Sequence, residues 1–305
     1  MRTILLWMAR NTWLKERLPR LGFVRKAVRR FMPGEDVEAA FGAAAALAAT
    51  GQGILFTRLG ENLVELAEAD EVAAHYHGIL DRNADLGRPV ELSVKPTQLG
   101  LDIDEAACLE HLSGLAARAD VTGTWLWLDM ESSAYVDRTL ALYERLKADH
   151  RNVGICLQAY LRRTPGDLRR LLPLRPTVRL VKGAYDEPAG VAWRKRAEVD
   201  GAYQAAALVL AEAARDGGAR LALGTHDSEL IERIAAFAEA AGVPLDRLEV
   251  HMLYGIRAGE LRRLQAAGFP SSTLIAYGKH WYPWYMRRLA ERPANVGFAL
   301  RQLLP

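Results

Sequence analysis

Apolar runs of strand length recur along the chain at Ile54–Thr57, Val90–Val94, Thr124–Leu128, Val153–Leu157, Val178–Val181, Leu221–Leu223, Leu248–Leu253 and Thr273–Ala276. The segments between them repeat with the period of a helix and carry start and stop signals. Asp36 to Ala49 is an alanine-rich helix closed by Gly51 and Gly53. Asp102 with Glu105 reads as a capping box ahead of Leu109, Leu112 and Leu115, and Ser132/Ser133 precede Val136, Leu140 and Tyr143. Thr164-Pro165 places a cap before a first-turn proline. Asp227 opens a helix on which Leu230, Ile231, Ile234, Phe237 and Ala241 share a face, and Gly242 stops it.

Eight strands alternating with helices predict an α/β fold, a (β/α)₈ TIM-like barrel with extra N-terminal helices. A doubly wound sheet is the competing architecture, but no Gly-x-Gly-x-x-Gly follows the first strand. Residues 1–52 read as a helical arm and 53–305 as the barrel, with Asp186–Asp200 as a long loop or short helix beside its mouth.

At 305 residues the chain can bury a large core. It contains no run of about 18 apolar residues that would span a bilayer. Cys108 and Cys156 have neither zinc nor redox spacing and read as reduced packing residues of a cytoplasmic protein. The net charge of +3 hides an asymmetry, because residues 1–34 hold nine Lys/Arg against one acid, leaving 31 basic and 36 acidic residues elsewhere. Trp7, Trp13, Leu14, Leu18, Phe23, Val28 and Phe31 lie among those charges. The combination suits either a helix at an anionic membrane surface or amphipathic helices packed across the domain. The acidic body speaks against a nucleic-acid surface.

In a barrel of this kind the loops after the strands build the pocket. Unusual polar residues collect there: Arg58 and Glu61, Lys95, Asp129 and Glu131, Gln158 and Tyr160, Arg179 and Lys182, Thr225-His226-Asp227, Tyr254, then Tyr277, Lys279 and His280. Arg179 stands inside an apolar run, where a charge needs an anionic partner: a bound ligand, or a carboxylate from a neighbouring strand. Gly183 offers backbone that a ligand can approach closely. Lys95, Arg179, Lys182, Arg287 and Arg288 make the pocket cationic, so the expected ligand carries carboxylate or phosphate. His226, Asp227, His251 and Asp129 could be gathered as metal ligands. The nearby cations would repel a divalent ion, and no metal site is expected.

The motifs Leu128-Asp129-Met130-Glu131, Gln158-Ala159-Tyr160-Leu161, Arg179 through Tyr185, Thr225-His226-Asp227 and Arg287 through Glu291 together resemble the proline dehydrogenase family in its short monofunctional bacterial form. The resemblance covers about 53–301. It implies a distorted barrel holding FAD, oxidation of L-proline to 1-pyrroline-5-carboxylate, and electrons passed to a membrane quinone. Such a protein is expected in the cytoplasm, in peripheral contact with the inner face of the cell membrane. Carried over residue by residue, it puts Lys95, Arg287 and Arg288 on the substrate carboxylate, with Tyr277 in the substrate pocket. Asp129 supports that cluster, and Arg179 lies near the reacting flavin atom. Met130, Gln158, Arg179, Lys182, Gly183, Ala184, Thr225 and His226 fall on the flavin, and Glu61 on a gate that pairs with Arg287. Leu274 stands where the family usually has a tyrosine over the substrate ring, which keeps 4-hydroxyproline or another cyclic amino acid open as the substrate. A metal-dependent barrel hydrolase and a membrane-surface adaptor are the readings from other classes.

Overall fold

The computed structural model describes residues 7, 8, 11–18, 22, 24, 28–60, 63–83 and 89–291. In chain order these form α1 (Thr12–Arg17), α2 (Val37–Ala48), β1 (Gly53–Arg58), α3 (Leu66–Asp81), β2 (Glu91–Val94), α4 (Glu105–Val121), β3 (Leu126–Leu128), α5 (Val136–Asp149) and β4 (Val153–Gln158). There follow α6 (Thr164–Leu171), β5 (Thr177–Val181), α7 (Arg196–Arg215), β6 (Arg220–Gly224), α8 (Ser228–Ala240), β7 (Leu248–Leu253), α9 (Ala258–Ala266), β8 (Ser271–Tyr277) and α10 (Trp281–Glu291). Each strand pairs in parallel with the next, and β8 returns to β1, so the sheet closes into a barrel.

Strands covered on both faces read as nearly continuous apolar runs, which is why all eight were visible in the sequence. Residues paired across neighbouring strands share a face, and the faces alternate along each strand. Ile54, Phe56, Leu92, Leu128, Val178, Leu180, Leu221 and Leu223 point outward into the main core beneath the helices. Leu55, Trp127 and Ala222 instead form a small separate cluster inside the barrel, with Leu274 packed against it. The register rows Leu55↔Leu274 and Arg179↔Ala222 place Arg179 on this inner face.

Several local expectations change in three dimensions. The cap of α4 is Asp104, whose carboxylate accepts from the Ala106 and Ala107 amides at 2.8 and 3.1 Å. Asp102 is spent on Arg138, 3.0 Å away, and on the Tyr135 hydroxyl. Thr164 begins α6 rather than capping it, because its hydroxyl donates to the Gln158 carbonyl at 2.6 Å. On α8, Leu230, Ile231 and Ile234 are buried as expected, but Phe237 is 56 % exposed and Ala241 lies beyond the helix. Ala235 and Ala238 face the barrel instead, and small side chains let the helix approach closely.

Described residues of the arm pack on the last described helix of the barrel. Val28 and Met32 are buried with Trp281, Tyr282, Trp284, Tyr285, Met286 and Leu289 of α10 in a second hydrophobic cluster, and Met8, Leu14 and Leu18 pack against it. Glu35 accepts from the Trp281 indole N–H at 2.9 Å. Among the described residues of the arm, Trp7 is 60 % and Trp13 59 % exposed.

Gly154 on β4 is paired with Trp127. A Cβ there would lie 2.6 and 2.8 Å from the indole ring and 3.0 Å from the Thr177 methyl. Gly154→Ala should therefore lower folding stability by about 1–3 kcal/mol through overpacking. Denaturant titration of both proteins measures this, and an unchanged midpoint would mean that the indole has room to move.

Candidate active site

The carboxyl ends of the strands form a mouth lined by charge. Lys95 and Asp129 directly follow the paired residues Val94 and Leu128, while Gln158 pairs with Val181 and Val181 with Gly224. At the centre is Arg179, only 5 % exposed. Its Nη2 donates to Ser93 Oγ at 2.7 Å and to Asp129 Oδ1, and the Ser93 hydroxyl donates to the same carboxylate oxygen at 2.8 Å. Burial disfavours the charged guanidinium, but the Asp129 carboxylate outweighs it and the net pKa shift is upward. The partner anticipated from an adjacent strand thus comes from the end of β3, across β4. Nη1 of Arg179 is buried without a hydrogen-bond partner.

Gln158 is the second anchored group. Its Nε2 donates to the backbone carbonyls of Glu131 at 2.6 Å and Met130 at 3.3 Å, while Oε1 is buried and unpartnered. Glu131 accepts from the Thr97 hydroxyl at 2.9 Å, tying the turn after β3 to the one after β2.

Past β5 the chain folds back on Tyr160. Gly183 has φ of +122°, and a Cβ there would fall 2.1 Å from the Tyr160 ring, so only glycine fits. Tyr160 donates its amide to the Lys182 carbonyl at 2.9 Å and its hydroxyl to the Tyr185 carbonyl at 3.3 Å. Lys182 Nζ is held by Asp200 at 2.5 Å and Asp227 at 2.8 Å. Burial alone would raise the Asp227 pKa, but the Lys182 hydrogen bond prevails and the net shift is downward. Asp227 also caps α8, accepting the Leu230 amide. The loop between β5 and α7 is pinned at Glu187, whose carboxylate accepts from the Ser133 amide at 2.7 Å.

His226 accepts the Leu253 amide on Nε2 at 3.0 Å, so its neutral ring carries the proton on Nδ1. Thr225 is buried, and its hydroxyl accepts the Asp227 amide at 3.2 Å. Arg287 and Arg288 lie half-buried on α10, with the Arg287 guanidinium 5.9 Å from the Tyr185 ring. Leu274 is inside the barrel, packed on the Leu55, Trp127 and Ala222 cluster.

Tyr277 has to be removed from the expected substrate set. Three residues beyond Leu274, it points outward, is 1 % exposed, packs on Phe56 and donates to or accepts from His75 at 2.7 Å. Burial, aided by the Arg58 charge, lowers the His75 pKa to about 4, so the ring is neutral at pH 7. The residues weighed as metal ligands are each engaged elsewhere: Asp129 with Arg179, Asp227 with Lys182, His251 with Glu249, and His226 with the Leu253 amide. Glu61 lies outside the described residues, as does the side chain of Glu291.

Ser93 and Asp200 are groups of this mouth that the sequence did not mark, while Tyr185 stood only as the last residue of the Arg179–Tyr185 motif. Ser93 was within reach, since it precedes Lys95 by two residues and so shares its face. Asp200 belongs to α7 and meets Lys182 only through the tertiary fold.

A closed eight-stranded parallel barrel with buried ion pairs gathered at the carboxyl ends of its strands defines the class, a (β/α)₈-barrel protein. The family model described as "Proline dehydrogenase" matches residues 40–301. "Proline dehydrogenase 1" of Bacillus subtilis (strain 168) is 32 % identical over 304 residues, covering 100 % of this chain and 99 % of that one. "Proline dehydrogenase" of Deinococcus radiodurans is 34 % identical over 280 residues, 90 % of this chain and 89 % of that one. In fold, the chain is similar to proline utilization A (PutA) from Bdellovibrio bacteriovorus, inactivated by N-propargylglycine, with a TM-score of 0.83 at 21 % identity. The match takes in 96 % of this chain but 38 % of the much longer PutA chain. The chain belongs to the proline dehydrogenase family, a family of oxidoreductases.

Asp129→Ala would leave the Arg179 charge buried without its counter-ion, and should cost about 3–5 kcal/mol of folding stability. Asp129→Asn, which keeps a hydrogen-bond acceptor, should lose less. Denaturant unfolding of the three proteins gives the order, and an Ala variant as stable as the parent would show that Arg179 finds another partner.

Proposed function

We propose that this chain is an FAD-dependent dehydrogenase that oxidises L-proline to 1-pyrroline-5-carboxylate and passes the electrons to a membrane quinone. The observation that carries the cofactor is the pair of buried, unpartnered atoms at the mouth, a donor in Arg179 Nη1 and an acceptor in Gln158 Oε1. A flavin ring system carries acceptor oxygens and nitrogens beside one N–H, so both orphan groups have a natural use. Met130, Gln158, Arg179, Thr225, His226 and the Lys182–Ala184 turn would hold FAD. When bound, it supplies the two-electron acceptor that no protein side chain provides.

The chain's own residues do the rest. Lys95, Arg287 and Arg288 clamp the substrate carboxylate and orient the ring carbon that loses hydride. Three cations around the substrate also disfavour the protonated amine, leaving the nitrogen lone pair free to drive the oxidation. Arg179, fixed by Asp129 and Ser93, presents positive charge where negative charge develops. Leu274 supplies an apolar wall without a hydroxyl, which supports a second reading, 4-hydroxyproline or another cyclic amino acid as the substrate. A metal-dependent hydrolase is disfavoured because its ligand candidates are dispersed among other partners.

Purified protein should be yellow, or become so on incubation with FAD, and proline should bleach it anaerobically. Protein that takes up no flavin would remove this reading. With flavin loaded, Arg288→Ala should lower kcat/KM for proline by the equivalent of about 2–5 kcal/mol while flavin content stays normal. Loss of FAD with unchanged proline kinetics would put the arginine on the other ligand.

The exposed side of the arm is the proposed contact with an anionic membrane surface, where each basic residue contributes about 1 kcal/mol. Because Met8, Leu14 and Val28 hold α10, truncating the arm would disturb the enzyme itself. Replacing exposed Trp7 and Trp13 with alanine avoids this. The double variant should sediment poorly with anionic vesicles and turn over slowly with long-chain quinone, yet keep its rate with a soluble acceptor. Undiminished sedimentation would show that the two indoles do not meet the bilayer.

A further inference from the structure

Trp127 is fully buried inside the barrel and has two guanidinium groups over its ring. The Arg179 Cζ is 5.4 Å and the Arg220 Cζ 5.1 Å from ring centroids of this indole. The strand register separates the two arginines by one layer, since Arg179 pairs with Ala222 and Arg220 with Thr177. Arg179 belongs to the mouth and Arg220 to the amino end of the barrel.

The indole is held from the amino side. Its Nε1 donates to Glu91 Oε2 at 2.5 Å, and Glu91 pairs with Arg220 at 2.8 Å. Arg220 pairs also with Glu249 at 2.6 Å, and His251 lies against the indole edge-on, with centroids 5.5 Å apart. Burial would raise the Glu249 pKa, but the hydrogen bonds from His251 and Arg220 bring it down to about 2, so the carboxylate stays charged. Gly154 is shaped to this ring.

The two strong side-chain hydrogen bonds of Arg179, to Ser93 and Asp129, both leave from Nη2, and the Cys156 thiol, its register partner on β4, makes a weaker contact with the same guanidinium. Bonds from one nitrogen together with the covalent tether at Nε fix two points of the group but leave its plane able to tilt about the line between them. A ring face supplies the missing constraint, because a guanidinium over an aromatic face is held in place by the ring quadrupole. If the ring were removed, Nη1 could swing toward the Asp129 carboxylate and be lost to a ligand.

We propose that Trp127 is a positioning residue for Arg179, fixing the guanidinium plane so that Nη1 stays available at the mouth, and that the Glu91–Arg220–Glu249 ion pairs hold the indole for that task. The inference rests on the flavin reading above. Positive charge held beside a flavin stabilises its reduced form, so loosening Arg179 should make the bound flavin harder to reduce.

The test uses flavin-loaded parent, Trp127→Phe, Trp127→Met and a protein with tetrafluorinated tryptophan incorporated at position 127 alone. The readouts are the flavin midpoint potential, kcat, KM and the melting temperature. Trp127→Met should shift the potential negatively and lower kcat by about tenfold, the scale of a cation–π contact, with KM for proline nearly constant. Trp127→Phe loses the same hydrogen bond to Glu91 and should melt lower, yet keep its potential near the parent's. The fluorinated protein keeps the shape and the N–H but not the electron-rich face, so its potential should move as in the Met variant without a large loss of melting temperature. It also decides the matter if the Met variant fails to fold. Equal potentials in all flavin-loaded proteins, or equal shifts in the Phe and Met variants, would overturn the proposal and leave Trp127 as core packing. A parent that binds no flavin removes the reading beneath it instead.

Discussion

The buried ion pair of Arg179 and Asp129 is the constraint around which the interior of this barrel is arranged. A guanidinium inside a strand is costly unless it is paired and hydrogen-bonded, and the pair stands only because Ser93, on the same inner face, joins both partners. Once that charge is placed, the inner layer has to be filled around it. Trp127 takes the space beneath, Gly154 yields it, and Leu55, Ala222 and Leu274 complete an apolar floor. The outer faces of the same strands carry none of this burden and pack as an ordinary aliphatic core.

The mouth is assembled from two bodies with different supports. The strand ends contribute Lys95, Asp129, Gln158, Arg179 and Thr225, held by the closed sheet. The arginine couple comes from α10, whose aromatic face is covered by the N-terminal arm rather than by the barrel's main core. Met8, Leu14 and Val28 of the arm therefore support the helix that carries the proposed carboxylate clamp, while Trp7 and Trp13 stay exposed. Tyr185, between the β5 loop and Arg287, is where the two bodies meet. The loop bearing it is itself anchored by Glu187 on Ser133.

Much of this was legible in the sequence, for a definite physical reason. Strands buried on both faces must be apolar throughout, and helices over them must be apolar on one side, so composition alone marks the eight repeats and their order. A charged residue in such a run, Arg179, announces a partner, and polar residues after successive strands announce a shared mouth. Where local signals had equivalents nearby, they misled. Asp102 and Asp104 are both good caps, and only the position of Arg138 decides which is free to cap α4. Phe237 lies close to the apolar face of α8, yet the approach of the helix to the sheet leaves it outside.

What the tertiary structure alone decided is which polar groups meet. Tyr277 ends the same strand that carries Leu274, but three residues reverse the face, and it becomes part of the outer core beside His75. Lys182 finds Asp200 and Asp227 across 18 and 45 residues of chain, and Trp127 finds Arg179 and Arg220 because closure of the sheet turns three strands inward on one another. Periodicity is written locally, since each residue's burial follows from its neighbours along one element. Pairing of charges depends on register and closure, which no single stretch of sequence contains.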